Sequence, residues 1–91
     1  MPAKKPLRKI VLTATARADL AFWEESNPKI IQKINSLLES ILADPEKGIG
    51  KPEKLKYELA GYWSRRINHR DRIVYQIQGE TVIVLQLRDH Y

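Results

Sequence analysis

The chain has 91 residues, of which 43% are hydrophobic and 30% charged, and it contains no cysteine. This composition is typical of one small globular domain, and it excludes a disulfide scaffold and thiolate metal centres. No apolar run approaches the ~20 residues of a membrane-spanning helix, and no secretory signal is visible, so we expect a cytoplasmic protein without membrane contact.

The net charge of +5 is concentrated in one part of the sequence. Residues 47–72 hold eight Lys or Arg and three Asp or Glu, whereas the other 65 residues hold eight of each sign. The whole positive excess therefore lies in this window, which we call the basic window. A local positive field of this kind attracts polyanions, nucleic acid above all, with an affinity that falls as salt rises.

The first elements are predicted from a change in hydrophobic period. Residues 1–7 are expected to form a flexible tail, and residues 8–91 a single folded domain. A β-branched run at residues 10–13 indicates a short strand, and a helix follows from Ala14, with Thr13 or Thr15 as its N-cap. The predicted buried face of this helix contains Ala14, Ala18, Ala21 and Phe22.

The second helix has the clearest pattern in the chain. Pro28 is tolerated in a first helical turn, and Asp44-Pro45 ends the pattern. Its apolar face is formed by Ile30, Ile31, Ile34, Leu37, Leu38, Ile41 and Leu42. This helix must therefore lie on a hydrophobic partner.

Three strands are predicted after a glycine-containing loop and a single helical turn at residues 54–59. Residues 62–67, 72–77 and 81–87 show period-two alternation and are separated by loops of hairpin length. The predicted fold class is α+β, in the order β-α-α-β-β-β, with an antiparallel sheet. Two helices would cover one face of this sheet and leave the other free for a ligand.

Strand alternation assigns the basic side chains to faces. Arg66 shares a face with Tyr62 and Ser64, whereas Arg65 shares the other face with Trp63 and Ile67. In the last strand, Leu85 and Leu87 are predicted on the core face, with Gln86, Arg88 and His90 opposite. This places Arg66, Arg72 and His90 on one open surface, unless a β-bulge changes the alternation.

These residue types suit RNA cleavage without a metal. That reaction needs a base for the 2′-hydroxyl, cations for the phosphate and an acid for the departing 5′-oxygen. Glu53 is a candidate base and His90 a candidate acid, while Lys56, Arg66 and Arg72 are candidate phosphate ligands. Neither a metal site nor a cofactor is predicted, because the two histidines lie in separate segments without metal-ligand spacing.

Each assignment has a structural alternative. Glu53 can be a solvated loop residue, and His90 a solvent-facing residue of the terminus. Arg66 and Arg72 can pair across strands with Glu58 or Asp71. Tyr57 and Tyr62 can stack on bases, but half-buried aromatics beside a small core are commoner. The alternative function is a non-catalytic module that binds RNA or a protein partner through the same basic surface.

Several sequence motifs resemble those of one toxin family. They are GKPE at residues 50–53 followed by Leu55-Lys56, GYWSRRI at 61–67, RIVY at 72–75 and the final His90-Tyr91. Together they resemble the YoeB/Txe toxins of the RelE superfamily, densely over residues 48–91. The predicted order of elements over residues 8–91 is similar to the fold of that superfamily, a microbial ribonuclease fold.

The resemblance implies the toxin of a type II toxin–antitoxin system, a ribosome-dependent endoribonuclease that cuts mRNA in the A site of the 30S subunit and so inhibits translation. It implies three kinds of partner: a cognate antitoxin, the ribosome with its mRNA, and a second copy of the chain in a homodimer. Carried onto matching positions, it implies the catalytic residues Glu53, Arg66, His90 and Tyr91. The predicted phosphate-binding residues are Lys51, Lys56, Arg65 and Arg72.

Overall fold

Two helices and a five-stranded sheet make up the part of the chain that the computed structural model describes, residues 9–89. The helices are α1 (Ala14–Ser26) and α2 (Lys29–Ala43). The strands are β1 (Lys9–Leu12), β2 (Glu53–Lys54), β3 (Tyr62–Arg66), β4 (Arg72–Gln78) and β5 (Thr81–Gln86). A 3₁₀ turn at Tyr57–Leu59 stands where the sequence predicted a helical turn. The predicted tail, residues 1–7, lies outside the described residues.

The sheet is mixed, with the strand order β1-β5-β4-β3-β2. The predicted meander of β3, β4 and β5 is confirmed, since both pairs are antiparallel. The first strand departs from the predicted antiparallel sheet, because β1 lies parallel to β5. The short strand β2, which was not predicted, extends the opposite edge through antiparallel pairing with β3.

The core lies between the two helices and one face of the sheet. The predicted apolar face of α2 is confirmed: Ile34, Leu37 and Ile41 are buried against it. Sheet residues that reach this core include Ile73, Tyr75, Val82, Val84 and Leu87. The fold of the described residues is therefore α+β, with both helices on one side, as predicted.

The predicted buried face of α1 is wrong. Ala16 and Trp23 are buried, and Leu20 packs beside them, whereas Ala14, Ala18 and Ala21 are exposed. The spacing of the alanines matches one helical face, but each alanine buries little apolar surface. The large Trp23 side chain buries much more, and it therefore decides which face of the helix is turned to the core. The predicted N-cap is confirmed at Thr13, whose hydroxyl accepts a hydrogen bond from the Ala16 amide at 3.1 Å.

A β-bulge changes the alternation in β5. Tyr75 pairs with Val84 but Val74 pairs with Gln86, so Leu85 is the extra residue. Leu85 therefore does not take the core position predicted for it, while Leu87 beyond the bulge is fully buried. Arg88 also departs from its predicted face, since its guanidinium lies 3.5 Å from the centroid of the Phe22 ring on α1.

Candidate functional site

The strand register brings three of the predicted site residues to one face of the sheet. Arg66 and Arg72 are direct cross-strand neighbours, and Glu53 pairs with Ser64, two residues before Arg66. Directly opposed residues in an antiparallel pair share a face, and diagonal neighbours lie about 7–8 Å apart. Glu53, Arg66 and Arg72 therefore converge on the face opposite the helices, as the alternation predicts for the two arginines.

The accessible part of this face is its edge at β2 and β3. Glu53 and Arg66 are exposed and Arg72 is half-buried, while Ser64 and Val74 between them are inaccessible to solvent. Arg66 and Arg72 are like charges placed directly opposite each other, which is unfavourable in a sheet. A phosphate bound beside this pair would be attracted by both positive charges.

The predicted alternative, in which these arginines serve as ion-pair partners, does not describe Arg66. Within residues 9–89, the Arg66 guanidinium has no carboxylate within salt-bridge distance. Asp71 is buried, and its carboxylate accepts a hydrogen bond from the Asp89 amide at 2.7 Å. Arg66 therefore presents its charge to solvent, where a phosphate can reach it.

The loop that leads into Glu53 has an unusual backbone. Gly50 has φ +82° and Lys51 has φ +53°, and both precede Pro52. A left-handed residue before proline is conformationally strained, and such strain persists only where the surroundings impose it. One constraint is the 2.7 Å hydrogen bond from the Arg66 amide to the Gly50 carbonyl, which ties the GKPE segment to β3.

Two grooves flank this strand edge. One is formed by Glu53 and the six residues that follow it, and therefore includes Lys56. The other brings Lys51 and Arg66 together with Lys33 from α2 and His69 from the loop after β3. Neither Lys33 nor His69 was predicted from the sequence to lie at the site. Lys33 had no sequence signal, because it stands on the polar face of a helix distant in sequence.

Arg65 is not available for the phosphate-binding role predicted for it. Its side chain is fully buried, and all five of its N–H donors are hydrogen-bonded. The acceptors are the Ser40 and Tyr75 hydroxyls and the carbonyls of Asp44, Lys47 and Ile49, at 2.6–3.2 Å. Arg65 is thus the centre of a network that holds the loop between α2 and β2.

Tyr75 completes this network. Its hydroxyl accepts from Arg65 Nε at 3.1 Å and donates to the Pro45 carbonyl at 2.6 Å. Burial raises the pKa of the Tyr75 phenol above its ordinary value of 10.0, although the hydrogen bond from Arg65 acts in the opposite direction. The phenol therefore stays protonated at neutral pH and keeps its donor for the loop.

The other two predicted catalytic residues, His90 and Tyr91, lie outside the described residues. The chain before them is held beside the site, since the Arg72 amide donates to the Asp89 carbonyl at 3.0 Å. Asp89 also forms an exposed ion pair with Arg70 at 3.4 Å. Within the described part of the chain, no group of three His, Asp or Glu side chains could hold a metal ion, and neither helix is long and apolar enough to cross a membrane.

Comparison with known proteins points to one family. Residues 12–91 match the model of the YoeB-like toxins of bacterial type II toxin–antitoxin systems. Toxin YoeB of Streptomyces coelicolor is 43% identical over 83 residues, which cover 91% of this chain and 99% of that protein.

Solved structures agree with this match. The YoeB/ParE toxin of Agrobacterium tumefaciens superposes with a TM-score of 0.89 at 40% identity, over 92% of this chain and all of that one. YoeB of Staphylococcus aureus has been solved as a dimer (TM-score 0.86, 40% identity, 93% of this chain and 99% of that one). It has also been solved in a heterotetrameric complex with YefM (TM-score 0.84, 41% identity, 90% and 95%). The chain therefore belongs to the YoeB-like toxins of bacterial type II toxin–antitoxin systems.

Proposed function

We propose that this toxin is a metal-independent endoribonuclease that cuts mRNA in the ribosomal A site and thereby inhibits translation in the cytoplasm. The observation that carries the proposal is the convergence of Glu53, Arg66 and Arg72 on one face, with the carboxylate and one guanidinium exposed. This arrangement supplies a base next to a phosphate site.

In the proposed reaction Glu53 takes the proton of the RNA 2′-hydroxyl, and the resulting oxygen attacks the adjacent phosphorus. The bond from phosphorus to the 5′-oxygen breaks as the new bond forms. Arg66 and Arg72 stabilise the charge that develops on the phosphate, with Lys51 and Lys56 adding positive charge nearby. His90 gives a proton to the leaving 5′-oxygen, with Tyr91 beside it. The products are a 2′,3′-cyclic phosphate and a 5′-hydroxyl.

The proposal extends to the partners of the toxin. The complex of YoeB with YefM and the YoeB dimer from Staphylococcus aureus support a cognate antitoxin and a homodimer for this chain. We propose that the antitoxin neutralises the toxin by binding it. The ribosome would position the mRNA on the surface of β2, β3 and β4.

The test compares the natural chain with Glu53→Gln in a translating extract that contains a defined mRNA. The natural chain should stop protein synthesis and leave messages cut at the A-site codon. Glu53→Gln should cut at least ~100-fold more slowly, because a general base contributes about 10²–10⁴-fold. Primer extension locates the cuts, and end-group analysis should detect the cyclic phosphate.

Lys9→Gln is the matched control. It removes one exposed charge from β1, at the sheet edge opposite β2, and should leave cutting unchanged. Normal cutting by Glu53→Gln would contradict the role of Glu53. Binding without any strand break, even by the natural chain, would replace the nuclease with a non-catalytic binding module.

A further inference from the structure

Tyr57 is the most exposed large hydrophobic residue in the described part of the chain, with 90% of its surface accessible. The sequence pattern favoured a half-buried aromatic at this position. Leu55, two residues earlier, is only 6% exposed, so it attaches this stretch of chain to the core without Tyr57. The packing of the domain therefore does not explain why a large ring stands here.

The backbone of Tyr57 is also unusual, with φ +58°. This left-handed conformation is a genuine outlier for a bulky side chain, because Cβ comes close to the following carbonyl. Hydrogen bonds from the Leu59 amide to the Lys56 carbonyl (3.1 Å) and from the Ala60 amide to the Tyr57 carbonyl (3.0 Å) hold the turn. The turn thus keeps an aromatic ring in solvent at a conformational cost, an arrangement that is more frequent at functional sites.

The surroundings of Tyr57 indicate what the ring would contact. Tyr57 lines the same groove as Glu53, the proposed base, and as the exposed Lys54, Lys56 and Glu58. An aromatic ring between basic side chains is how proteins bind single-stranded nucleic acid: the bases stack on the ring and the cations follow the phosphates. Charged side chains of both signs line the groove, which disfavours an apolar protein segment as its occupant. The exposed ring beside Lys54 and Lys56 favours a single-stranded nucleic acid.

We propose that Tyr57 is a stacking platform for an unpaired nucleobase of the RNA, adjacent to the nucleotide whose phosphate Arg66 and Arg72 would hold. This inference rests on the proposed function and adds a base-binding subsite to it. The subsite would orient the RNA strand along the groove that leads to Glu53. Stacking reads the π-face of a base, so this contact would tolerate any base.

The test uses Tyr57→Leu, which keeps an apolar side chain without a π-face, and Tyr57→Phe, which retains the ring. Ribosomes are programmed with mRNA that carries the fluorescent base 2-aminopurine at single positions in and around the A-site codon. Every toxin variant in this binding experiment also carries Glu53→Gln, so that the mRNA is not cut. In this background, the protein with Tyr57 and the Tyr57→Phe variant should both quench the fluorescence at one position by stacking. Tyr57→Leu should abolish that quenching.

Cleavage kinetics with Glu53 intact give a second readout. Tyr57→Leu should raise KM roughly 5- to 150-fold, as expected for the loss of one base stack, while Tyr57→Phe should remain close to the natural chain. Phe22→Leu, at another exposed aromatic on α1, is the matched control and should change neither readout. Thermal unfolding checks that each variant folds.

The outcomes separate the two proposals. If the natural chain cuts mRNA and Tyr57→Leu cuts it with the same KM and the same quenching, the stacking subsite is wrong and the nuclease proposal stands. The same holds if Tyr57→Leu weakens only the binding of the antitoxin, because the ring would then serve a protein partner. If the natural chain does not cut, the nuclease proposal fails, and the fluorescence alone decides whether Tyr57 stacks on RNA.

Discussion

Two consecutive arginines, Arg65 and Arg66, have opposite environments in this molecule. Arg65 is fully buried and gives its donors to Ser40 on α2, to three carbonyls of the loop before β2 and to Tyr75, whereas Arg66 is exposed on the proposed catalytic face. The alternation of β3 predicts this difference, since neighbouring residues of a strand point to opposite faces. The predicted phosphate-binding role of Arg65 agreed with its positive charge but not with this alternation. Most of its true acceptors come from residues 40–49, and no local pattern shows that this loop folds over β3.

The difference predicts contrasting effects of one conservative substitution. Arg65→Lys keeps the charge but replaces the planar fork by three donors at one point, so several buried acceptors lose their partners. We expect it to lower the free energy of unfolding by about 3 kcal/mol. Arg66→Lys should change that free energy by less than ~0.5 kcal/mol, because its side chain is exposed, yet it should slow cutting.

Urea denaturation of the two variants beside the natural chain provides the measurement. The pair is matched in chemistry and in sequence position, so the comparison isolates burial. Equal free energies of unfolding for the two variants would contradict the structural role of Arg65.

At the scale of elements, the sequence predicted both helices and the three long strands within one or two residues at most ends. It did not predict β2, because a two-residue strand carries no period, nor the parallel position of β1. It also could not predict the bulge at Leu85, which depends on contacts with α1. Thr13 donates to the Leu85 carbonyl at 2.7 Å, and Trp23 and Asp19 bond to the backbone of Leu87.

The loop that delivers Glu53 contains two glycines, Gly48 and Gly50, at which a side chain would meet close neighbours, and Gly50 is the one beside the GKPE segment. An added Cβ at Gly50 would stand 2.6 Å from Leu37 Cδ2 and 3.2 Å from the Arg66 carbonyl, in addition to the positive φ. Gly50→Ala should therefore destabilise the domain by about 3 kcal/mol and displace Glu53, because the left-handed backbone and the core contact both resist a side chain.

Gly79→Ala is the control for this prediction. Gly79 also has a positive φ (+59°), but an added Cβ would meet no atom within 4 Å. Gly79→Ala should lower the free energy of unfolding only by the cost of a left-handed backbone, about 1 kcal/mol, and should leave cutting unchanged. The comparison needs urea denaturation and the cleavage assay. If both alanine variants were equally stable, the close packing of Gly50 would not matter.

For the whole molecule, the concentration of charge was readable from the sequence, and the structure refines which charges face outward. Two residues of the basic window, Arg65 and Asp71, are buried. Because they have opposite signs, the remaining seven basic and two acidic residues of the window still sum to +5. The positive field therefore belongs to the accessible surface. The positive field alone does not identify the ligand of that surface, because it would attract any polyanion.

The salt dependence of RNA binding tests where on the molecule this field acts. For single-stranded RNA, the logarithm of the binding constant falls with the logarithm of salt concentration by about 0.7 for each phosphate contact. Arg66→Gln should therefore make this slope shallower by ~0.7, because one contact is lost. Lys9→Gln removes the same charge from the opposite edge of the sheet and should leave the slope unchanged.

The measurement is a titration of a labelled RNA that carries a 2′-deoxy nucleotide at the cut position, over a series of salt concentrations. A shift of the same size for both variants would mean that RNA responds to net charge and not to the face formed by β2, β3 and β4.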